Sequence, residues 1–240
     1  KIHYTEGLSI TRRMGDQVNT VRALGGLAEI ALTKGEAHTA RTLFEESLAL
    51  ARTLGRTLDM PFNLGDLARA EIELGNLDRA DALLEEALSL DAETMAPTLR
   101  SWLHVNRGRA VRLRGSHNPA DDYREALRLA GEVHRYGRSL VAECLDEVAA
   151  FAAATGHGLR APALWGAADR QRELIGLWWR RSGDIEEAIS RTREALGEQV
   201  FGQAWDAGRA LSSEQAVAVG LALVDELARN ASRIGVAQGR

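Results

Sequence analysis

An all-α fold is predicted for this chain: a solenoid of helical hairpins that repeats about every forty residues and ends in a C-terminal helical cap. Three observations predict it. Apolar residues at Leu24, Leu27, Ala28, Ala31 and Leu32, and again at Ala40, Leu43, Phe44, Leu48, Ala51 and Leu54, have the spacing of one helix face, with Gly35 marking the break between the two runs. The pattern then recurs: Gly35, Gly75 and Gly115 are spaced by 40 residues, Ala40 and Ala80 by the same interval, and Glu45-Glu46-Ser47-Leu48 returns as Glu85-Glu86-Ala87-Leu88. No segment shows the alternation of β-branched residues that a strand requires. A lone hairpin would leave much of its apolar face in water, so copies must bury one another.

In chain order, Tyr4 to Met14 matches the second helix of a hairpin, with Gly7-Leu8-Ser9-Ile10 corresponding to Ser47-Leu48-Ala49-Leu50. That places the first residue within or near a broken repeat and suggests a fragment of a larger protein. Two complete hairpins follow. A third is one residue shorter, since Glu125-Ala126-Leu127 comes 39 residues after Glu86-Ala87-Leu88, and a fourth has its first helix ended by Gly156 and its second begun near Pro162. Pro61, Pro97, Pro119 and Pro162 all fall near predicted helix starts, where the missing N–H is no loss. Asn118 is the expected N-cap beside Pro119. After Gly176 the register is lost. Asp184 with Glu187, and Ser212 with Gln215, have capping-box spacing ahead of helices that run to Leu196 and to about Ile234, with a short helix around Val200, Phe201, Ala204 and Trp205 between them. Residues 1–176 are therefore expected to form the repeat array, its hairpins stacked in sequence order, and residues 177–240 its cap.

Composition narrows the function classes. No apolar run approaches the length of a membrane span and no basic-then-apolar signal pattern opens the chain, so a soluble cytoplasmic protein is expected, with no membrane partner. The net charge of −4 argues against direct nucleic-acid binding, and lysine occurs only at Lys1 and Lys34, so positive charge is almost all arginine. The single Cys144 lies in an apolar run and is expected to be a buried, reduced thiol.

The Leu-Gly-x-Leu-Ala run, the turn glycine and Leu-Glu-Glu-Ala-Leu-x-Leu together resemble tetratricopeptide repeats, in a form longer than the usual one. The tail carries a further resemblance, through Ala161 to Ala168, Ala195-Leu196-Gly197-Glu198, Phe201 to Trp205 and Gly208 to Ser212. It is similar to the C-terminal repeat domains of large bacterial LuxR-type and STAND ATP-binding transcriptional regulators, and to the repeat tails of cyclase-ATPase proteins and actinobacterial antibiotic regulators. The resemblance implies a nucleotide-binding switch domain and a helix-turn-helix domain elsewhere in a parent protein. Neither lies in these residues, and no phosphate-cradling G-x-x-x-x-G-K-[ST] loop is present.

No catalytic, cofactor or metal site is expected. His3, His38, His104, His117, His134 and His157 form no H-E-x-x-H pattern and no i, i+4 pair. Ser212-Ser213 has no accompanying His in a recognisable elbow, and the acidic pairs Glu45-Glu46 and Glu85-Glu86 recur with the repeat as a solvated helix face would. The expected function is a non-catalytic sensor that binds a protein, peptide or small effector in a concave groove. A self-association scaffold, and an enzyme with a pocket between repeats and cap, are the alternatives. In tetratricopeptide arrays the first helix of each hairpin lines that groove, which selects Glu29, Arg69 and Arg109 six residues before the turn glycines, Arg112 three before, and Trp102, Glu143 and Asp146 further back. Either Arg69, Arg109 and Arg112 together receive an anionic group, or they pair with neighbours such as Asp66 and Glu73. In the first case reversal of Arg69 and Arg109 to Glu should abolish effector binding and, at exposed positions, leave stability within about 1 kcal/mol. Trp178, Trp179, Arg180 and Arg181 form a secondary interface candidate, or else plug the end of the last hairpin.

Overall fold

The computed structural model describes residues 2–56, 59–90, 95–115, 118–133, 138–176 and 181–238, leaving aside the side chains of 2–4 and 231–238. Among the described residues there are twelve helices and no strand: α1 (Ile2–Met14), α2 (Gln17–Thr33), α3 (Ala37–Thr53), α4 (Met60–Glu73), α5 (Leu77–Ser89), α6 (Pro97–Arg114), α7 (Ala120–Glu132), α8 (Arg138–Ala154), α9 (Ala161–Ile175), α10 (Gly183–Leu196), α11 (Glu198–Arg209) and α12 (Ser213–Gln238). The fold is thus the predicted all-α array of helical hairpins. It divides into two compact units, Lys1–Thr94 and Met95–Arg240.

In the first unit each helix packs on the next, α1 on α2 through to α4 on α5. Four helices end in the same way, on a left-handed glycine: Gly15, Gly35, Gly55 and Gly75, with φ between 63° and 76°. In each case the following N–H reaches back to a carbonyl five residues earlier, as Glu36 does to Ala31 and Asn76 to Glu71. This cap satisfies carbonyls that would otherwise lack partners, and its φ is one that side chains with a Cβ rarely adopt. The repeat is equally visible in burial. Leu24 and Leu64, Ala28 and Ala68, Ala40 and Ala80, and Phe44 and Leu84 are pairs forty residues apart, and all eight are fully buried. Surface ion pairs keep the same register, Arg12 with Glu46 and Arg52 with Glu86.

The second unit begins as two more hairpins, α6 with α7 and α8 with α9, and α8 also lies against α6 and α7. Sequence-order stacking then fails. Helix α10 packs chiefly on α8 and α11, α11 on α9, and α12 returns to α7 and α8. Glycines admit these approaches. A Cβ on Gly220 would lie 3.0 Å from both Leu127 Cδ1 and Leu145 Cδ2, and one on Gly131 would lie 3.2 Å from Val217. Leu223, Val224 and Leu227 of α12 are buried in the same core as Leu127, Leu145 and Trp165. A fully buried Leu contributes roughly 1.5–3 kcal/mol, which outweighs any tendency of the segment to extend the array.

Two cap assignments resolve differently. At Ser212 the capping box is present: the Ser212 N–H donates to Gln215 Oε1 at 2.9 Å and the Gln215 N–H to Ser212 Oγ at 3.2 Å. Asp184 and Glu187 do not form one. Helix α10 starts after Ser182, Glu187 pairs with Arg191, and the Asp184 carboxylate turns to arginines of α6. A partly buried pair of guanidinium donors offers that carboxylate more than a solvated N–H does. Asn118 does act at the start of α7, its Oδ1 accepting from the Ala120 N–H at 3.0 Å.

The backbones of α9 and α11 approach each other closely at two glycines. A Cβ on Gly208 would lie 1.8 Å from the Ala163 carbonyl oxygen, and one on Gly166 would lie 2.1 Å from that of Trp205. Backbone cannot yield as a side-chain tip can, so Gly208→Ala should lose about 2–3 kcal/mol in a chemical denaturation series. Gly202→Ala on the same helix, where a Cβ meets nothing within 4 Å, should gain about 0.5–1 kcal/mol.

Candidate functional site

The arginines singled out from the sequence fall in different units: Arg69 in the first, Arg109 and Arg112 in the second. On α4, Arg69 Nη1 donates to Glu29 Oε1 of α2 at 2.7 Å and lies 3.6 Å from Asp66 Oδ1. Two carboxylates therefore share this guanidinium. Burial and the neighbouring Glu29 carboxylate push Asp66 up to about 7, against the pull of Arg69. Phe62, one helical turn before Asp66 on α4, is 54% exposed. Asn63, next to Phe62 on α4, is buried and accepts from Ser47 Oγ at 2.8 Å.

In the second unit the centre is Glu147 of α8, a carboxylate with only 5% of its side chain exposed. Arg112 Nε and Nη2 donate to its Oε2 at 2.9 and 2.8 Å, and the Tyr123 hydroxyl donates to the same oxygen at 3.2 Å. Arg109 Nε lies 3.7 Å from Oε1. Both arginines also reach Asp184 at the start of α10, Arg109 at 2.9 Å and Arg112 at 2.5 Å. Two cations thus face two anions. Burial raises the Glu147 carboxyl, with Arg112 and Arg109 opposing, whereas at Asp184 the arginines prevail over burial and hold the carboxyl at about 2. Burial and the Glu147 charge raise the Tyr123 hydroxyl well above its ordinary range, so it stays a donor.

Asp146, the residue before Glu147, serves the other flank of α8. It pairs with Arg172 of α9 and with Arg181, whose Nε lies 3.0 Å away. Arg181 also reaches Asp169 at 2.7 Å and the Trp165 carbonyl at 3.1 Å, and stands 5.5 Å from the Trp205 ring centroid. Trp102 and Glu143 are half-buried on α6 and α8. Trp178, Trp179 and Arg180 lie outside the described residues.

The second-unit geometry corrects the expectation of exposed, substitution-tolerant arginines. Arg109 and Arg112 have only 15% and 10% of their side chains exposed, and each is committed to carboxylates of its own chain. Sequence reasoning passed over Glu147 and Tyr123, and gave Asp184 a capping role. The one available signal was a pair of acids, Asp146-Glu147, inside the apolar run from Leu140 to Phe151.

Among the described residues, no group of three His, Cys, Asp or Glu is placed to hold a metal ion. His104 Nδ1 lies 2.9 Å from Asp122, and His157 sits near Asn230 at 3.1 Å. Cys144 is fully buried, and desolvation raises its thiol far above the ordinary value. No helix of the described residues is long and apolar enough to cross a membrane.

A tetratricopeptide repeat family model matches residues 63–94, the stretch that holds most of α4 and all of α5. The match covers one hairpin, and with the all-helical hairpin architecture it supports a tetratricopeptide-like repeat, a kind of unit commonly found in protein-interaction modules. No curated protein matches the chain.

Reversal of Arg109 to Glu would leave Glu147 and Asp184 facing a third carboxylate, and should cost about 3–5 kcal/mol in denaturant titration. At Asp66 the sign runs the other way. Its folded-state pKa lies above the unfolded value near 3.9, so the stability it contributes falls as pH rises from about 4 to about 7. Asp66→Asn should therefore match the parent melting temperature near pH 4 and exceed it near pH 8.

Proposed function

We propose that this chain is a non-catalytic sensor and protein-interaction domain of a cytoplasmic bacterial transcriptional regulator. It takes a protein, peptide or small effector on the first helices of its hairpins, and thereby biases a nucleotide-dependent switch in the same polypeptide. The coupling would arise from different affinities of the partner for two states of the regulator. Nucleotide-binding and DNA-binding domains of the parent protein are then its intramolecular partners.

The observation that carries this reading is the α2–α4 face of the first unit. Phe62 stands more than half exposed one turn from a cluster in which Glu29 and Asp66 share Arg69. An exposed aromatic beside partly buried charges combines an apolar anchor with a polar element that fixes orientation. With the Asp66 carboxyl pushed up to about 7, the cluster lies close to charge balance and offers both hydrogen-bond donors and acceptors to the polar groups of a partner. In the second unit Arg109 and Arg112 already hold Asp184 and Glu147, so an anionic effector there must displace Asp184. The repeat match begins at Asn63, next to Phe62, and includes Arg69 of the same helix, which supports an interaction role over catalysis.

The test is photo-crosslinking from position 62 in the intact parent regulator, read by mass spectrometry with and without cell extract fractions. Cross-links to one partner are expected, and Phe62→Ala should weaken that partner by about 1–3 kcal/mol while leaving the melting temperature unchanged. Undiminished binding by a folded Phe62→Ala, Arg69→Ala variant would remove this face from the mechanism.

A further inference from the structure

A crevice of about 690 Å³ opens in the second unit where four elements meet, and it belongs to none of the groups described above. Its walls carry Arg138 at the start of α8, Arg170 and Leu174 near the end of α9, Arg209 at the end of α11, and residues 210–215, which lead into α12. We propose that this crevice binds a small organic oxyanion, with a phosphate or carboxylate head against the arginines and an apolar tail along Leu174 and Leu211.

Three features make it a built site. First, Arg170 and Arg209 are held by one carboxylate: Arg209 Nη1 and Nη2 fork onto Glu173 at 2.7 and 2.9 Å, and Arg170 Nη1 lies 3.4 Å from the same group. Glu173 fixes two guanidiniums at the wall while neutralising only one charge. Arg138 engages no ion pair among the described residues, and the crevice wall itself carries three arginines against the single carboxylate of Glu214, with Glu173, Asp169 and Asp206 close to Arg209. Guanidinium planes suit the flat or tetrahedral arrays of oxygens on such heads.

Second, the crevice floor includes the start of the 26-residue helix α12. There the Gln215 N–H donates to Ser212 Oγ, the Ser212 N–H donates to Gln215 Oε1 and the Ser212 hydroxyl donates to Glu214, and the partial positive charge of the helix end faces the same space. Third, a fully buried polar side chain stands behind that floor with half of its amide unused. The Ser213 hydroxyl donates to Gln171 Oε1 at 2.9 Å, while Gln171 Nε2 is buried with no partner. Rotating that amide by half a turn lets Nε2 donate to Ser213 Oγ, which frees the Ser213 proton for an occupant of the crevice. The apolar wall sets the rest of the ligand, since Leu174 is 47% exposed at the rim.

The inference is independent of the α2–α4 face. Phenyl phosphate, phenylacetate and chloride, matched in ionic strength, are titrated by isothermal calorimetry into the full chain and into Arg138→Glu. Saturable binding of one aromatic anion is expected, with Kd on the order of 1 mM, and a loss of at least about tenfold in Arg138→Glu with the melting temperature unchanged. Tighter binding of phenyl phosphate than of phenylacetate identifies a phosphate head, and the reverse order a carboxylate. Binding no better than chloride up to about 20 mM, or equal binding by folded Arg138→Glu, would overturn the assignment. Since reversal at position 138 could perturb the start of α8, Ser213→Ala gives a second arm: an unchanged Kd there and in Arg138→Gln would equally reject the site.

Discussion

A carboxylate stripped of water must be met by cations, and Glu147 sets that demand in the middle of α8. Its oxygens take two donors from Arg112 and one from Tyr123, which fixes α6 and α7 against α8. Arg109, one turn away on the same helix face, joins it, and two guanidiniums around one carboxylate leave a charge that Asp184 completes. The first turn of α10 is placed by that completion. Asp146 projects to the adjoining side of α8 and does the same for α9 and Arg181. Two neighbouring acids on one helix thereby organise both of its flanks.

The two units obey different packing rules. In the first, every helix contacts its neighbour in sequence, and residues forty apart occupy equivalent buried positions, as expected when each hairpin buries the apolar face of the next. In the second, α11 and α12 leave the chain order. Glycines at 166 and 208 let the α9 and α11 backbones meet, and glycines at 131 and 220 let α12 settle onto α7 and α8. A return helix gains contact area that a further hairpin would obtain only from another repeat beyond it.

Register picks out Arg69, Arg109 and Arg112, its looser extension picks out Asp146, and all four are in ion pairs between helices. Their partners were much harder to see. Asp184 lies 75 residues from Arg109 and 72 from Arg112, and its local spacing to Glu187 offered a sufficient capping explanation. Local reasoning assigns a carboxylate to the nearest N–H, whereas in the folded chain a partly buried guanidinium pair competes more strongly for it. Glu147 left a fainter trace, an acid within an apolar run, and its meaning depended on which helix would arrive opposite.

What the sequence by itself determined was the class of element and the order of the first hairpins. Helix periodicity, the glycine stops and prolines at helix starts act through bonds and burial within some five residues, so they can be seen without knowing the fold. Forty-residue recurrence then implied that neighbours pack alike, and from α2 to α9 the helices came at the intervals it foretold. Only the tertiary structure decided where α10, α11 and α12 dock and whether the arginines of α6 face solvent or carboxylates. Those outcomes turn on desolvated charge and on backbone approach at single glycines, quantities set by residues far apart in the chain and absent from any local pattern.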